Sequence, residues 1–177
     1  MATSVYIPVS EYLRTSYRPD CDYVDGEVQE RNLGEEWHAA VQNAIGAIFY
    51  INRKTWRLRS LTEQRVQVSS TRFRIPDVCA VPSEKPFTGI LTEAPVLCVE
   101  VLSPEDRFQR VVTRAQEYQQ MGVPNIWIID PKSREAWVMD AAGGVVPMME
   151  DAFTIPGTLV RVVIADVFDE IDSAPKA

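Results

Sequence analysis

Pro95-Val96-Leu97-Cys98-Val99-Glu100-Val101-Leu102-Ser103-Pro104 is the stretch from which the fold can be read. It is an apolar run of strand length, broken by one carboxylate and closed by a Ser-Pro pair. A strand covered on both faces has this near-continuous apolar character, so a buried strand is predicted over Ala94 to Leu102. Upstream, Ile75-Pro76-Asp77-Val78-Cys79-Ala80-Val81 repeats the pattern with an acid at its head, and predicts a strand over Phe73 to Val81. Downstream, Ser103-Pro104-Glu105-Asp106 has the form of a helix start: a capping serine, a proline at the first helical position and an acid at the third. Phe108, Val111, Val112, Ala115, Tyr118 and Met121 then recur at helical spacing, and Gly122 ends the helix. Asn125 to Ile129 is a second buried strand, stopped by Asp130-Pro131.

The remainder fits around this strand–helix–strand unit. Cys21 to Val28 carries Asp25-Gly26, the signal of a tight hairpin. A helix is predicted from Glu35 to Asn52, capped by Asn32, with His38, Val41, Ile45, Ile48 and Asn52 on one stripe. Trp56 to Ser69 is expected to be extended, with Leu61, Val66 and Val68 buried. Glu135–Met139 and Leu159–Val163 add strands, and Gly143-Gly144 a turn. The expected order is α-β-β-α-β-β-β-α-β-β-β, an α/β (α+β) chain in which two long helices cover a mixed sheet. At 177 residues it is expected to form one domain, with its core over about 7–170.

Composition sets limits on function. The chain is 46% hydrophobic and 24% charged, with a net charge of −7, which argues against a general nucleic-acid coat. Residues 53–74 nevertheless hold seven Lys and Arg against Glu63 alone, an asymmetry that can mark a phosphate-facing surface. There is no apolar run of membrane-spanning length, no secretory pattern, no G-x-G-x-x-G and no Walker lysine loop, so neither a membrane nor a nucleotide cofactor is expected. The three cysteines lack C-x-x-C spacing, Cys79 and Cys98 inside apolar runs read as buried thiols of a reducing compartment, and a cytoplasmic location is expected.

Asp77 and Glu100 interrupt apolar strands. A lone buried carboxylate costs several kcal/mol unless a cation or strong donors face it, and two on adjacent strands would repel. A divalent cation such as Mg²⁺, which takes hard oxygen ligands, accounts for both. Metal-free Asp77→Asn protein is then expected to be at least as stable as the parent.

At these residues the chain resembles the PD-(D/E)XK nuclease superfamily, and within it the Uma-two family of restriction-endonuclease-like proteins. The resemblance rests on Asp22-Tyr23-Val24-Asp25-Gly26-Glu27, Pro76-Asp77-Val78, the stretch from Pro95 to Pro104, Tyr118, and Gly122-Val123-Pro124-Asn125-Ile126-Trp127-Ile128-Ile129-Asp130-Pro131. It implies a restriction-endonuclease-like sheet flanked by helices and Mg²⁺-dependent (or Mn²⁺-dependent) hydrolysis of DNA phosphodiester bonds. It also implies a metal held by Asp77, Glu100 and the carbonyl of Val101, with Asp22 as an additional acid and homodimers as a common state. Leu102 stands where the superfamily motif has its lysine. In this branch the lysine lies on the following helix, four residues before the tyrosine, which is Arg114 here. The plain alternative for Arg114 is a solvated residue paired with Glu117. His38 is a further candidate beside its reading as a core histidine. Two other readings stay open: a nuclease-fold protein that binds DNA or a protein without cutting, and a hydrolase of smaller phosphoesters.

Overall fold

The computed structural model describes residues 6–31 and 35–175. Its hub is β7 (Leu97–Val101), every residue of which is buried. It pairs antiparallel with β6 (Val78–Pro82) and parallel with β8 (Asn125–Asp130), and α3 (Phe108–Met121) is the crossover between β7 and β8. With β3 (Leu58–Thr62), β9 (Glu135–Met139) and β10 (Val145–Pro147) these strands form a six-stranded mixed sheet in the order β10-β9-β8-β7-β6-β3.

Strand alternation divides the core. Leu97, Val99 and Val101 join Val78, Trp127 and Ile129 on one face, where Val41, Ile45 and Phe49 of α2 (Glu36–Trp56) and Val167 and Phe168 of α4 (Ile164–Ser173) pack. Cys79, Cys98 and Ile128 meet Val111, Ala115 and Tyr118 of α3 on the other. Burial of each large aliphatic side chain contributes about 1.5–3 kcal/mol, so both faces are needed to hold the central strands.

A second, antiparallel sheet runs β2 (Glu27–Gln29), β1 (Asp22–Val24), β5 (Arg72–Arg74), β4 (Val66–Ser69). With α1 (Val9–Arg14) it encloses an aromatic cluster in which Tyr12 stacks on Tyr23 at 4.8 Å between centroids. A ribbon of β11 (Ala152–Thr154) and β12 (Arg161–Val163) lays Phe153 flat on Trp127 at 4.5 Å.

Several expectations need correction. The segment Trp56 to Ser69 is not one strand: Trp56 ends α2, and Arg57 and Glu63 take left-handed backbone that separates α2, β3 and β4. Phe73 to Val81 is likewise two strands, β5 and β6, in different sheets. Ser103-Pro104 does not cap α3. The Asp106 carboxylate accepts the Ser103 amide at 2.9 Å and the Ser103 carbonyl accepts the Asp106 amide, so the motif closes a turn and the helix starts at Phe108. Asn32 lies outside the described residues, and Glu35 occupies the N-cap of α2 without a side-chain cap bond. The C-terminal apolar run extends into α4, which the expected order lacked.

Trp127, Phe153, Val160 and Val162 are all core residues, whereas Leu159 is 71% exposed. The three cysteines are free and buried. Among the described residues no helix is long and apolar enough to cross a membrane.

Candidate active site

Register brings the two strand carboxylates together. Val78 pairs with Val99, so Asp77, one residue before β6, stands beside Glu100 near the end of β7. Both are 1% exposed. Asp77 lies outside the ladder and its side chain is held by three donors. Oδ2 accepts the Val101 amide at 2.7 Å; Oδ1 accepts Arg31 Nη2 at 2.5 Å and lies 3.3 Å from His38 Nε2. Its carbonyl accepts Gln42 Nε2 at 2.9 Å, which ties the entry of β6 to α2. Glu100 is held from α3: Oε2 accepts Arg114 Nε at 2.8 Å and Nη2 at 2.7 Å, and Oε1 accepts the Tyr118 hydroxyl at 2.7 Å. Arg114 is therefore not the partner of Glu117, which binds Arg72 and Arg74 instead.

These partners set opposite electrostatic outcomes. Burial alone would push the Asp77 carboxyl up, but the hydrogen bond from His38, the charges of Arg31 and His38 and the Val101 amide hold it below its usual value. For Glu100 burial prevails, aided by the charge of Asp77, and the carboxyl is pushed up despite Arg114 and Tyr118. At His38 burial acts to lower the pKa, and the hydrogen bond and charge of Asp77 more than offset it, so the imidazole is raised.

A cavity of about 450 Å³ opens here, lined by Asp22, Arg31, His38, Asp77, Val101, Arg110 and Arg114 among others. Asp22 reaches its wall from β1, with its oxygens occupied: Oδ2 by Arg74 Nη1 at 2.9 Å and Oδ1 by the Ile75 amide at 3.1 Å. The basic segment 53–74 does not form one face. Arg65 pairs with Asp20, Arg72 with Asp25 and Glu117, and Arg59 stacks on Phe87; of that segment's Lys and Arg residues, Arg74 alone lines the cavity.

In kind, the donors at the end of β7 suit a hard divalent cation: two carboxylates, and the Val101 carbonyl, which in an extended strand points to the same side as the amide that meets Asp77. In arrangement, Arg31, Arg74 and Arg114 supply the positive charge that the acids require. No cluster of three or more His, Cys, Asp or Glu able to hold a metal occurs among the described residues. Arg31, Gln42 and the hydroxyl role of Tyr118 were not foreseen. Tyr118 was read as part of an apolar stripe and of the family resemblance but not as a donor to Glu100, and Arg31 follows the hairpin in a segment with no periodic pattern.

The family described as "Putative restriction endonuclease", Uma2, matches residues 9–151. A crystal structure of a "putative nuclease belonging to DUF820" from Anabaena variabilis superposes with a TM-score of 0.80 at 19% identity, covering 92% of this chain and 98% of that one. The fold is therefore shared. A cryo-EM structure of a DrdV–DNA complex aligns with a TM-score of 0.43 at 16% identity, over 76% of this chain and 11% of that one. No curated protein matches the chain.

Proposed function

The chain belongs to the Uma2 family, and from that footing we propose that it is a Mg²⁺-dependent endonuclease hydrolysing DNA phosphodiester bonds. The observation that carries the proposal is the juxtaposition of buried Asp77 and Glu100 beside a cavity rimmed by guanidiniums. Asp77, Glu100 and the Val101 carbonyl would hold the ion, in competition with Arg31 for Asp77 Oδ1. When bound, it supplies Lewis acidity toward the scissile phosphate and the attacking water.

The chain's own residues do the rest. Arg110 projects from the rim of the cavity and gives a phosphate oxygen a charged donor. Arg114, anchored on Glu100, turns its remaining N–H groups to the charge that develops on the phosphate. Arginine stays protonated, so Arg114 takes the electrostatic part of the missing lysine's work and not a base's. His38, held by Asp77 at the cavity wall, can hold or pass a proton. Asp22 fixes Arg74 and the Ile75 backbone, and so positions the approach to Asp77.

The second reading is a protein that binds DNA without cutting it. It is favoured by one specific observation: both carboxylates already have arginine partners. Conversion of supercoiled plasmid to nicked or linear form in Mg²⁺ separates the two. The endonuclease reading requires cutting that EDTA abolishes and that Asp77→Asn and Glu100→Gln remove. Plasmid retarded in a gel but intact over hours would favour the non-cutting reading.

A further inference from the structure

Next to the carboxylate cavity lies a second cleft of about 480 Å³ with a different lining. Trp37 and His38 border it from the first turn of α2, Leu102, Ser103 and Pro104 from the exit of β7, and Pro131 from the exit of β8. His38, Ser103 and Asp106 line both spaces, so the two adjoin. The indole of Trp37 is 47% exposed although it stands at the edge of this cleft. Arg134 lies over its ring at 5.6 Å from the centroid.

Resting on the nuclease reading above, we infer that this cleft is a nucleobase subsite: an unpaired base of the substrate stacks on Trp37 while its phosphate occupies the basic cavity. Leu102, Pro104 and Pro131 give the cleft an apolar wall, and the part of Trp37 that Arg134 leaves exposed can take a flat π-system. Of the charged residues that line this cleft alone, the carboxylates of Glu35 and Asp130 outweigh Lys132, so the sugar-phosphate chain is favoured on the arginine side. The same carboxylates can accept the exocyclic amino group of cytosine, adenine or guanine. A base within duplex DNA is stacked and paired, so only a base in a single strand, or one extruded from the helix, can enter. The substrate class is thus DNA with an unpaired nucleotide beside the scissile bond.

The test is fluorescence anisotropy with a labelled single strand and with the same strand annealed to its complement, in Ca²⁺ to suppress cleavage. The single strand should bind more tightly than the duplex. Trp37→Ala should weaken single-strand binding by about tenfold or more, Trp37→Phe should restore most of it, and duplex binding should be the same in all three proteins. Circular dichroism melting confirms that each variant is folded. Single-strand binding unchanged in folded Trp37→Ala overturns the subsite, as does a duplex bound as tightly as the single strand. Folded wild-type protein that binds neither DNA overturns the nuclease reading itself.

Discussion

Asp77 is the residue on which most of the site's interactions converge, and its contacts change what its removal should do. An acid facing only another acid would gain stability on neutralisation. Asp77 instead satisfies Arg31, His38 and the Val101 amide, so Asp77→Asn leaves buried donors unmatched. Metal-free Asp77→Asn should lose about 3 kcal/mol, a fall of about 6–12 °C in melting temperature by scanning calorimetry. His38 is the chain's single histidine, so its imidazole proton resonance is unambiguous by NMR. It should titrate above 6.5 in the wild type and below 6.5 in Asp77→Asn, where burial acts with less opposition. The sign follows from linkage. A raised imidazole pKa stabilises the fold fully below the unfolded value, and that stability is lost as pH rises through the folded one. At Arg114, lysine should keep most of any cleavage, whereas alanine should lose roughly 10²–10³-fold in kcat. Equal activity in the alanine variant would make Arg114 only the counter-ion of Glu100. Asp77 and Glu100 were legible because a charge inside an apolar strand needs an explanation. Arg31 was not, because its contact with Asp77 spans 46 positions and nothing in its local pattern announces it.

Among elements, α3 joins the two sheets. Its inner face packs on the six-stranded sheet, while buried Glu117 accepts Arg74 Nε at 2.5 Å and Arg72 Nη1 at 2.8 Å from β5 of the small sheet. Arg74 is buried and Arg72 is partly solvated, so the Arg74 bond carries most of the coupling. Glu117→Ala should cost about 3–5 kcal/mol, and hydrogen exchange should show β1 and β5 losing protection before β7 and β8. Simultaneous opening of both sheets would refute the assignment. The β7–α3–β8 unit could be read from sequence because apolar strands and a helical stripe are strong periodic signals. Boundaries at Arg57 and Glu63 could not, since both take left-handed backbone that neither residue type signals. Ser103-Pro104-Glu105-Asp106 misled for a related reason: one side-chain acceptor can cap a helix or close a turn, and here it closes a turn. The stripe Ile164, Val167, Phe168, Ile171 of α4 was visible at helical spacing, but the strand reading stopped short of it.

For the whole molecule, charge and surface set what can be bound and how tightly. Three of the cavity's four guanidiniums, those of Arg31, Arg74 and Arg114, serve internal acids, and the net charge is −7, so few phosphates can be neutralised. With about two or three phosphate contacts, the slope of log K against log salt should be about −2 to −3, measurable by anisotropy across ionic strengths. A slope near −8 would require more phosphate contacts than the arginines of the cavity can supply. Trp127 and Phe153 are buried within one chain while Leu159 is 71% exposed, and the homodimer that the resemblance implies is checked by light scattering at tens of micromolar, where a monomer mass would remove it. The central claim is that Asp77 and Glu100 share a cation, and crystals soaked in Mn²⁺ address it directly. An anomalous difference peak is expected between the two carboxylates, within bonding distance of the Val101 carbonyl, with Arg31 moved away from Asp77. Crystals that bind Mn²⁺ elsewhere or not at all, with the Arg31–Asp77 and Arg114–Glu100 pairs intact, would contradict it.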